Sequence, residues 1–94
     1  CPYVEQSGKS HGIELKHPFR VHQMALAEDV TAWAIESTPA DCVRFGVLAK
    51  KMEFDLVISG INRGYNIGID SLYSGTVAGA CVAGAACRCL VHQP

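Results

Sequence analysis

The sequence predicts an α/β fold with a parallel sheet, and three observations support that prediction. A helix start signal stands at Thr38, a β-branched apolar run follows at 54–59, and a helix of small residues begins after Ser74. Helix, strand and helix in this order are typical of parallel sheets that are covered by helices. Ahead of them, residues 12–36 alternate in polarity and predict an extended, hairpin-like excursion.

The excursion is predicted to contain three short strands. Residues 12–16 alternate between apolar and polar side chains and stop at Pro18, which has no N–H group to donate to a strand ladder. Residues 19–24 resume the alternation, and a turn at 28–29 separates them from a third strand at 31–36.

The elements that follow have clearer signals. Thr38 is suited to cap the free N–H groups of a helix, Pro39 to occupy its first position, and Asp41 to interact with its positive end. This helix is predicted to end near residue 50. The run 54–59 is predicted to be a strand buried on both faces, and a second helix to extend from residue 77 to about 90.

Two polar segments are candidates for a ligand site, because ligands of parallel sheets bind beyond the carboxyl ends of the strands. Segment 59–68 has three glycines spaced by four residues, which permit close backbone approach, and two asparagines, Asn62 and Asn66. Segment 73–76 opens the second helix with two hydroxyls and free N–H groups, which suit a phosphate. On spacing alone, a plain turn explains segment 59–68 equally well. An ordinary Ser74 helix cap is the better explanation of segment 73–76 taken alone, but its position after a loop rich in Gly and Asn favours anion binding.

Composition excludes several classes of protein. With 8 basic and 9 acidic residues among 94, the chain has no cationic excess for a nucleic-acid duplex. It also lacks the run of about 18 apolar residues that spans a membrane. The five cysteines form no Cys-x-x-Cys pair and predict reduced thiols in a cytoplasmic protein. The chain begins without Met and stops after an apolar segment, so we expect an internal piece of a longer protein.

Four blocks of residues, in this order, resemble the SurE (survival protein E) family of 5′/3′-nucleotidases: 5–11, 37–43, 55–64 and 72–78. Each block is weak alone, but the set covers residues 2–80 and is specific. The resemblance implies a Rossmann-like three-layer α/β domain with an extended β-hairpin excursion. Residues 1–94 would form part of this domain, and from about residue 81 the sequence departs from the family's pattern.

The resemblance also implies an activity, the removal of phosphate from nucleoside monophosphates with Mg²⁺ or Mn²⁺, by a homodimer or homotetramer. The family holds its metal with an Asp pair, a Ser and an Asn. The Ser and Asn match Ser7 and Asn62 here, whereas the Asp pair is expected upstream of Cys1. We expect the phosphate of the substrate to be held, in large part through N–H groups at the start of the second helix, by Gly8, Asn66, Ser74, Gly75 and Thr76. Arg63 is a further candidate for charge.

The missing Asp pair has a physical consequence. Mg²⁺ and Mn²⁺ require hard oxygen ligands, usually with carboxylates among them, and a neutral hydroxyl and amide do not offset the dehydration of the ion. We therefore expect the 94-residue chain alone to bind metal poorly and to turn over little substrate. The alternative hypothesis is a non-catalytic remnant that keeps only phosphate binding or contacts between subunits.

Overall fold

A computed structural model describes residues 1–84 and 87–93 and confirms the α/β class. The strands are β1 (Val21–Ala27), β2 (Val30–Ile35), β3 (Leu56–Ser59) and β4 (Arg88–Val91), and the α-helices are α1 (Pro39–Arg44) and α2 (Gly75–Gly84). A π-helical turn (Phe45–Ala49) continues α1, and a 3-10 turn (Gly68–Leu72) precedes α2. Within the described ranges, every helix is too short or too polar to cross a lipid bilayer.

The predicted hairpin is present as an antiparallel pair, in which Val21 of β1 lies opposite Ile35 of β2. A register shift between Ala25 and Ala27 marks an irregularity in β1. The predicted strand at 12–16 is absent, and that prediction was wrong. Its backbone has another partner, because the N–H of Glu14 donates to the carboxylate of Asp41 at 2.8 Å instead of to a neighbouring strand.

Helix α1 begins as predicted. The hydroxyl of Thr38 accepts a hydrogen bond from the Asp41 N–H at 3.2 Å, and Pro39 occupies the first helical position. Asp41 is buried, and its carboxylate also accepts from the Ser37 hydroxyl and from Arg44. Burial raises the pKa of Asp41, but the hydrogen bonds from Ser37, Glu14 and Arg44 outweigh it, so the pKa lies below its ordinary value.

Residues 88–91 form a strand, whereas a continuous helix was predicted to about residue 90. Helix α2 ends at Gly84, and β4 pairs in parallel with β3, from Leu56 opposite Arg88 to Ser59 opposite Val91. Residues 85 and 86, where the predicted helix would continue, lie outside the described residues. The backbone groups along the edge of β3 need hydrogen-bond partners, and residues 88–91 supply them. The helix prediction failed because it used only the local pattern of small residues, which carries no information about this distant strand.

Strand β3 is covered on one face only, where its side chains are half-buried, and the prediction of two buried faces was wrong. Val57 and Ser59 are half-buried, whereas Leu56 and Ile58 are 46% and 64% exposed. The half-buried face lies against α2, whose Gly79 is close enough that an added Cβ would come within 3.0 Å of the Ser59 hydroxyl. Small side chains on α2 therefore let the helix approach the sheet closely.

Candidate functional site

An open cavity of about 990 Å³ lies at the carboxyl end of β3. Beside α1 and β3, the segments that line it include the loop around Ser7, the loop after Ser59 and the first turn of α2. All residues that the sequence assigned to metal or substrate lie in its wall: Ser7, Gly8, Asn62, Asn66, Ser74, Gly75 and Thr76. Arg63 lies there too. The structure thus brings these residues together, while their individual roles stay predictions.

The start of α2 is a capped helix end packed tightly on α1. The buried Ser74 accepts a hydrogen bond from the Val77 N–H at 3.2 Å, so its hydroxyl serves as the helix cap. A Cβ on Gly75 would lie 2.8 Å from Cγ of Pro39, so glycine permits this contact between the helices. The first N–H groups of a helix have no acceptor within it, which makes this end of α2 suited to an anion.

Asn62 is held against the first turn of α2. The Thr76 hydroxyl donates to Oδ1 of Asn62 at 3.3 Å, and Nδ2 of Asn62 donates to the Gly64 carbonyl at 2.7 Å. The Ser59 hydroxyl donates to the Thr76 carbonyl at 2.6 Å and fixes the end of β3 to the same turn. The amide oxygen of Asn62 is therefore oriented toward the amino end of α2.

Strand β4 positions the loop that contains Asn62. The His92 N–H donates to the Ser59 carbonyl at 2.8 Å, and the Asn62 N–H donates to the His92 carbonyl at 3.1 Å. Gly60 has a φ of 143°, and a Cβ there would meet the His92 carbonyl oxygen at 2.5 Å. Only glycine therefore suits this position.

Gln93 is not in the cavity wall but supports Asn66, and the sequence analysis missed this contact. Its Oε1 accepts from Nδ2 of Asn66 at 2.9 Å. One available signal was the change from the apolar residues 89–91 to the polar His92 and Gln93, which repeats the change after β3 at the same edge of the sheet.

The loop that contains Ser7 is attached to the residues just before α2. The Ser10 hydroxyl donates to the Leu72 carbonyl at 2.7 Å, and the Ser10 N–H donates to the Tyr73 carbonyl at 3.0 Å. The exposed Ser7 hydroxyl donates to Oε1 of Glu5 at 2.9 Å. Sequence reasoning missed both Glu5 and Ser10 as supports of the site.

The cavity offers oxygen donors of the kind that Mg²⁺ and Mn²⁺ prefer. Besides the Ser7 hydroxyl and the Asn62 amide, the carboxylates of Glu5 and Asp70 line it. Within residues 1–84 and 87–93, however, three or more His, Cys, Asp or Glu side chains nowhere gather closely enough to hold an ion. The residues present therefore fit such an ion in the type of donor but form only part of its ligand set.

Residues 1–89 match the protein family described as Survival protein SurE. The chain belongs to the SurE family. The match includes residues 81–89, so the family resemblance extends further along the chain than the sequence blocks indicated.

Two curated relatives illustrate how similar the chain is to other SurE proteins. It is 48% identical to the 5′-nucleotidase SurE of Kosmotoga olearia over 81 residues, which are 85% of this chain and 32% of the relative. It is also 48% identical to the 5′-nucleotidase SurE of Microcystis aeruginosa over 83 residues, which are 85% of this chain and 31% of that relative. The chain thus spans about a third of the length of these relatives.

A solved structure shares the fold. The SurE protein from Aquifex aeolicus superposes with a TM-score of 0.74 at 33% identity, covering 93% of this chain and 35% of that one. The Rossmann-like α/β fold predicted for this SurE chain is confirmed, as is its extended hairpin.

Proposed function

We propose that this SurE protein is a divalent-metal-dependent phosphomonoesterase that removes phosphate from nucleoside monophosphates, with the cavity at the end of β3 as its substrate site. The main support is that Ser7, Asn62 and the first turn of α2, distant in sequence, line one cavity. The relatives named 5′-nucleotidase SurE support the same activity.

The phosphate would bind at the amino end of α2. The N–H groups of Gly75 and Thr76 stand in the first turn, where donors without helical partners and the helix dipole favour an anion. Gly8 has a φ of 68° and open space where a Cβ would be, so the backbone of its loop permits close approach of a ligand. The Asn66 amide has two N–H groups, of which one donates to Gln93, so the other is a further donor in the same cavity wall.

Ser7 and Asn62 would hold Mg²⁺ or Mn²⁺ through the hydroxyl oxygen and Oδ1, beside carboxylates supplied by the expected Asp pair. A bound divalent ion supplies Lewis-acid stabilisation of the charge that develops on phosphoryl oxygens. Arg63, on the cavity wall, would add positive charge beside the phosphate. The chain's own residues thus orient the phosphoryl group and hold the ion against it.

The active form is proposed to be a homodimer or homotetramer. The hairpin of β1 and β2 offers a surface for contacts between copies, because Met24, Leu26 and Val30 are exposed apolar residues on it.

A second candidate function is a non-catalytic remnant that retains only the phosphate site or these contacts. Such a remnant would keep the capped start of α2, whose free N–H groups suit an anion without any metal.

The test is phosphate release from nucleoside monophosphates by the full-length protein, with and without Mn²⁺, measured by a molybdate dye assay. We expect manganese-dependent release, reduced about tenfold or more in Ser7→Ala and in Asn62→Ala because each loses an oxygen donor. Ser71→Ala is the matched control, because its hydroxyl donates to the Gly68 carbonyl and is not in the cavity wall.

Two outcomes would contradict the proposal. Equal manganese-dependent release in the wild type and both variants would remove Ser7 and Asn62 from the metal site. Binding of inorganic phosphate without any release would favour the non-catalytic remnant.

A further inference from the structure

One hydrogen bond in the cavity wall involves Glu5, a residue to which the family resemblance assigns no function. The Ser7 hydroxyl donates to Oε1 of Glu5 at 2.9 Å, and both residues line the cavity. The single proton of the hydroxyl is therefore committed to the carboxylate.

The direction of that proton matters for cation binding. A serine hydroxyl has one proton and two lone pairs, and only the lone pairs attract a cation. When the proton points to a carboxylate, the lone pairs are left for another partner. A hydrogen bond to an ionised acceptor is also stronger than a neutral one and makes the donor oxygen more basic.

We propose that Glu5 is a positioning residue for divalent-cation binding and acts through Ser7. By accepting the proton of the Ser7 hydroxyl, it leaves both lone pairs of that oxygen available to a cation and would strengthen the oxygen as a ligand. The inference rests on the proposed function, because it requires Ser7 to be a ligand of the ion.

The loop has other attachments that do not depend on Glu5. Ser10 holds it to the Leu72 and Tyr73 carbonyls through two hydrogen bonds. Glu5 and Ser7 are both exposed, so truncation of Glu5 creates no buried cavity. Removal of the Glu5 carboxylate should thus change the orientation of the Ser7 hydroxyl without unfolding the loop.

The main competing explanation is that the charge of Glu5 acts on the ion through space, as the charges of Asp70 and Arg63 in the same cavity wall would. A double-mutant cycle separates the two explanations, because an effect transmitted through the Ser7 hydroxyl disappears once that hydroxyl is gone.

The experiment measures Mn²⁺ affinity of the full-length protein by isothermal titration calorimetry, without substrate. Glu5→Ala should weaken Mn²⁺ binding about tenfold, as expected for loss of a residue that orients a ligand. Glu5→Ala in the Ser7→Ala background should add nothing to the effect of Ser7→Ala. Glu5→Gln, which keeps an acceptor oxygen, should retain part of the affinity.

Glu28→Ala is the matched control. It removes the same charge at the turn between β1 and β2, outside the cavity, and should leave the Mn²⁺ affinity unchanged. The melting temperature of every variant is measured alongside, and we expect that of Glu5→Ala to equal the wild type.

Three results would overturn the inference. If Glu5→Ala binds Mn²⁺ like the wild type while Ser7→Ala does not, Glu5 has no positioning role and the proposed function stands. If Glu5→Ala weakens binding equally with and without the Ser7 hydroxyl, Glu5 acts on the ion independently of Ser7. If Ser7→Ala retains full affinity, the proposed metal role of Ser7 fails, and the inference fails with it.

Discussion

Asp41 connects three parts of the chain through one buried side chain. Its carboxylate accepts the backbone N–H of Glu14, the hydroxyl of Ser37 and a guanidinium N–H of Arg44 at 2.9 Å. The sequence assigned Asp41 only to the first turn of α1. The structure shows that it also fixes the segment that the sequence had predicted as a strand.

Replacement of Asp41 should lower stability and flatten its dependence on pH. Asp41→Asn keeps the size but loses the charge, and we expect about 1–3 kcal/mol less free energy of unfolding near neutral pH. Because the pKa of Asp41 is lower in the folded chain than its ordinary 3.8, the stabilisation is present above that value. It is lost as the pH falls through the lowered pKa.

Urea unfolding of the wild type and Asp41→Asn across acidic pH measures both effects. Asp29→Asn, at the exposed hairpin turn, is the control and should match the wild type. Equal acid sensitivity in wild type and Asp41→Asn would contradict the role given to this carboxylate.

Gly75 should not tolerate a side chain, whereas Gly64 should. Gly75→Ala places a methyl group 2.8 Å from Cγ of Pro39, an overlap that we expect to cost about 1–3 kcal/mol in the free energy of unfolding. At Gly64 no heavy atom lies within 4 Å of the added Cβ. Thermal unfolding of both variants tests this, and equal melting temperatures would show that α1 and α2 separate without cost.

At the level of elements, the sequence predicted the capped starts and missed the long-range pairing. Thr38 and Pro39 signal α1 because a helix start depends on adjacent residues. Residues 88–90 were predicted as helix, because their strand conformation depends on β3, which lies about 30 positions earlier in the chain.

The candidate site divides in the same way. Ser7, Asn62 and the start of α2 were named from the sequence and line one cavity. The contact of Gln93 with Asn66 and that of Ser10 with Leu72 were not predicted, because each joins residues distant in sequence.

The end of β4 should control the loop that contains Asn62. His92→Pro removes the N–H that donates to the Ser59 carbonyl, so we expect a loss of about 0.5–1.5 kcal/mol in the free energy of unfolding. Weaker Mn²⁺ binding should accompany it. His92→Ala keeps the backbone N–H and is the matched control. Chemical denaturation and Mn²⁺ titration measure the two effects, and identical behaviour of both variants would show that β4 does not position this loop.

At the scale of the whole molecule, the described residues have a small core and large exposed apolar areas. Ile35 and Asp41 are the largest fully buried side chains, and the other core residues are alanines. Ile58 and Leu90 lie opposite each other on the uncovered face of β3 and β4, 64% and 56% exposed. Such a face promotes association.

Charges on this face should reduce self-association of the 94-residue chain. We expect Ile58→Lys together with Leu90→Lys to lower its apparent mass in light scattering after size-exclusion chromatography, because a charged face resists burial. Leu48→Lys is the control, as Leu48 is 61% exposed but lies in the helical turn after α1. An unchanged mass in the double variant would place the association surface elsewhere.

The attachment of Ser10 to Leu72 has a consequence for the order in which the molecule assembles. The two residues are 62 positions apart in the chain. Closing such a long loop costs little extra entropy, because each doubling of loop length adds only about 0.6 kcal/mol. Contacts between distant residues nevertheless slow folding. Helix α2 can form from neighbouring residues, whereas the cavity exists only after the N-terminal loop has returned to it. The Ser10 amide donates to the Tyr73 carbonyl, so its protection against hydrogen exchange should report the completed pocket.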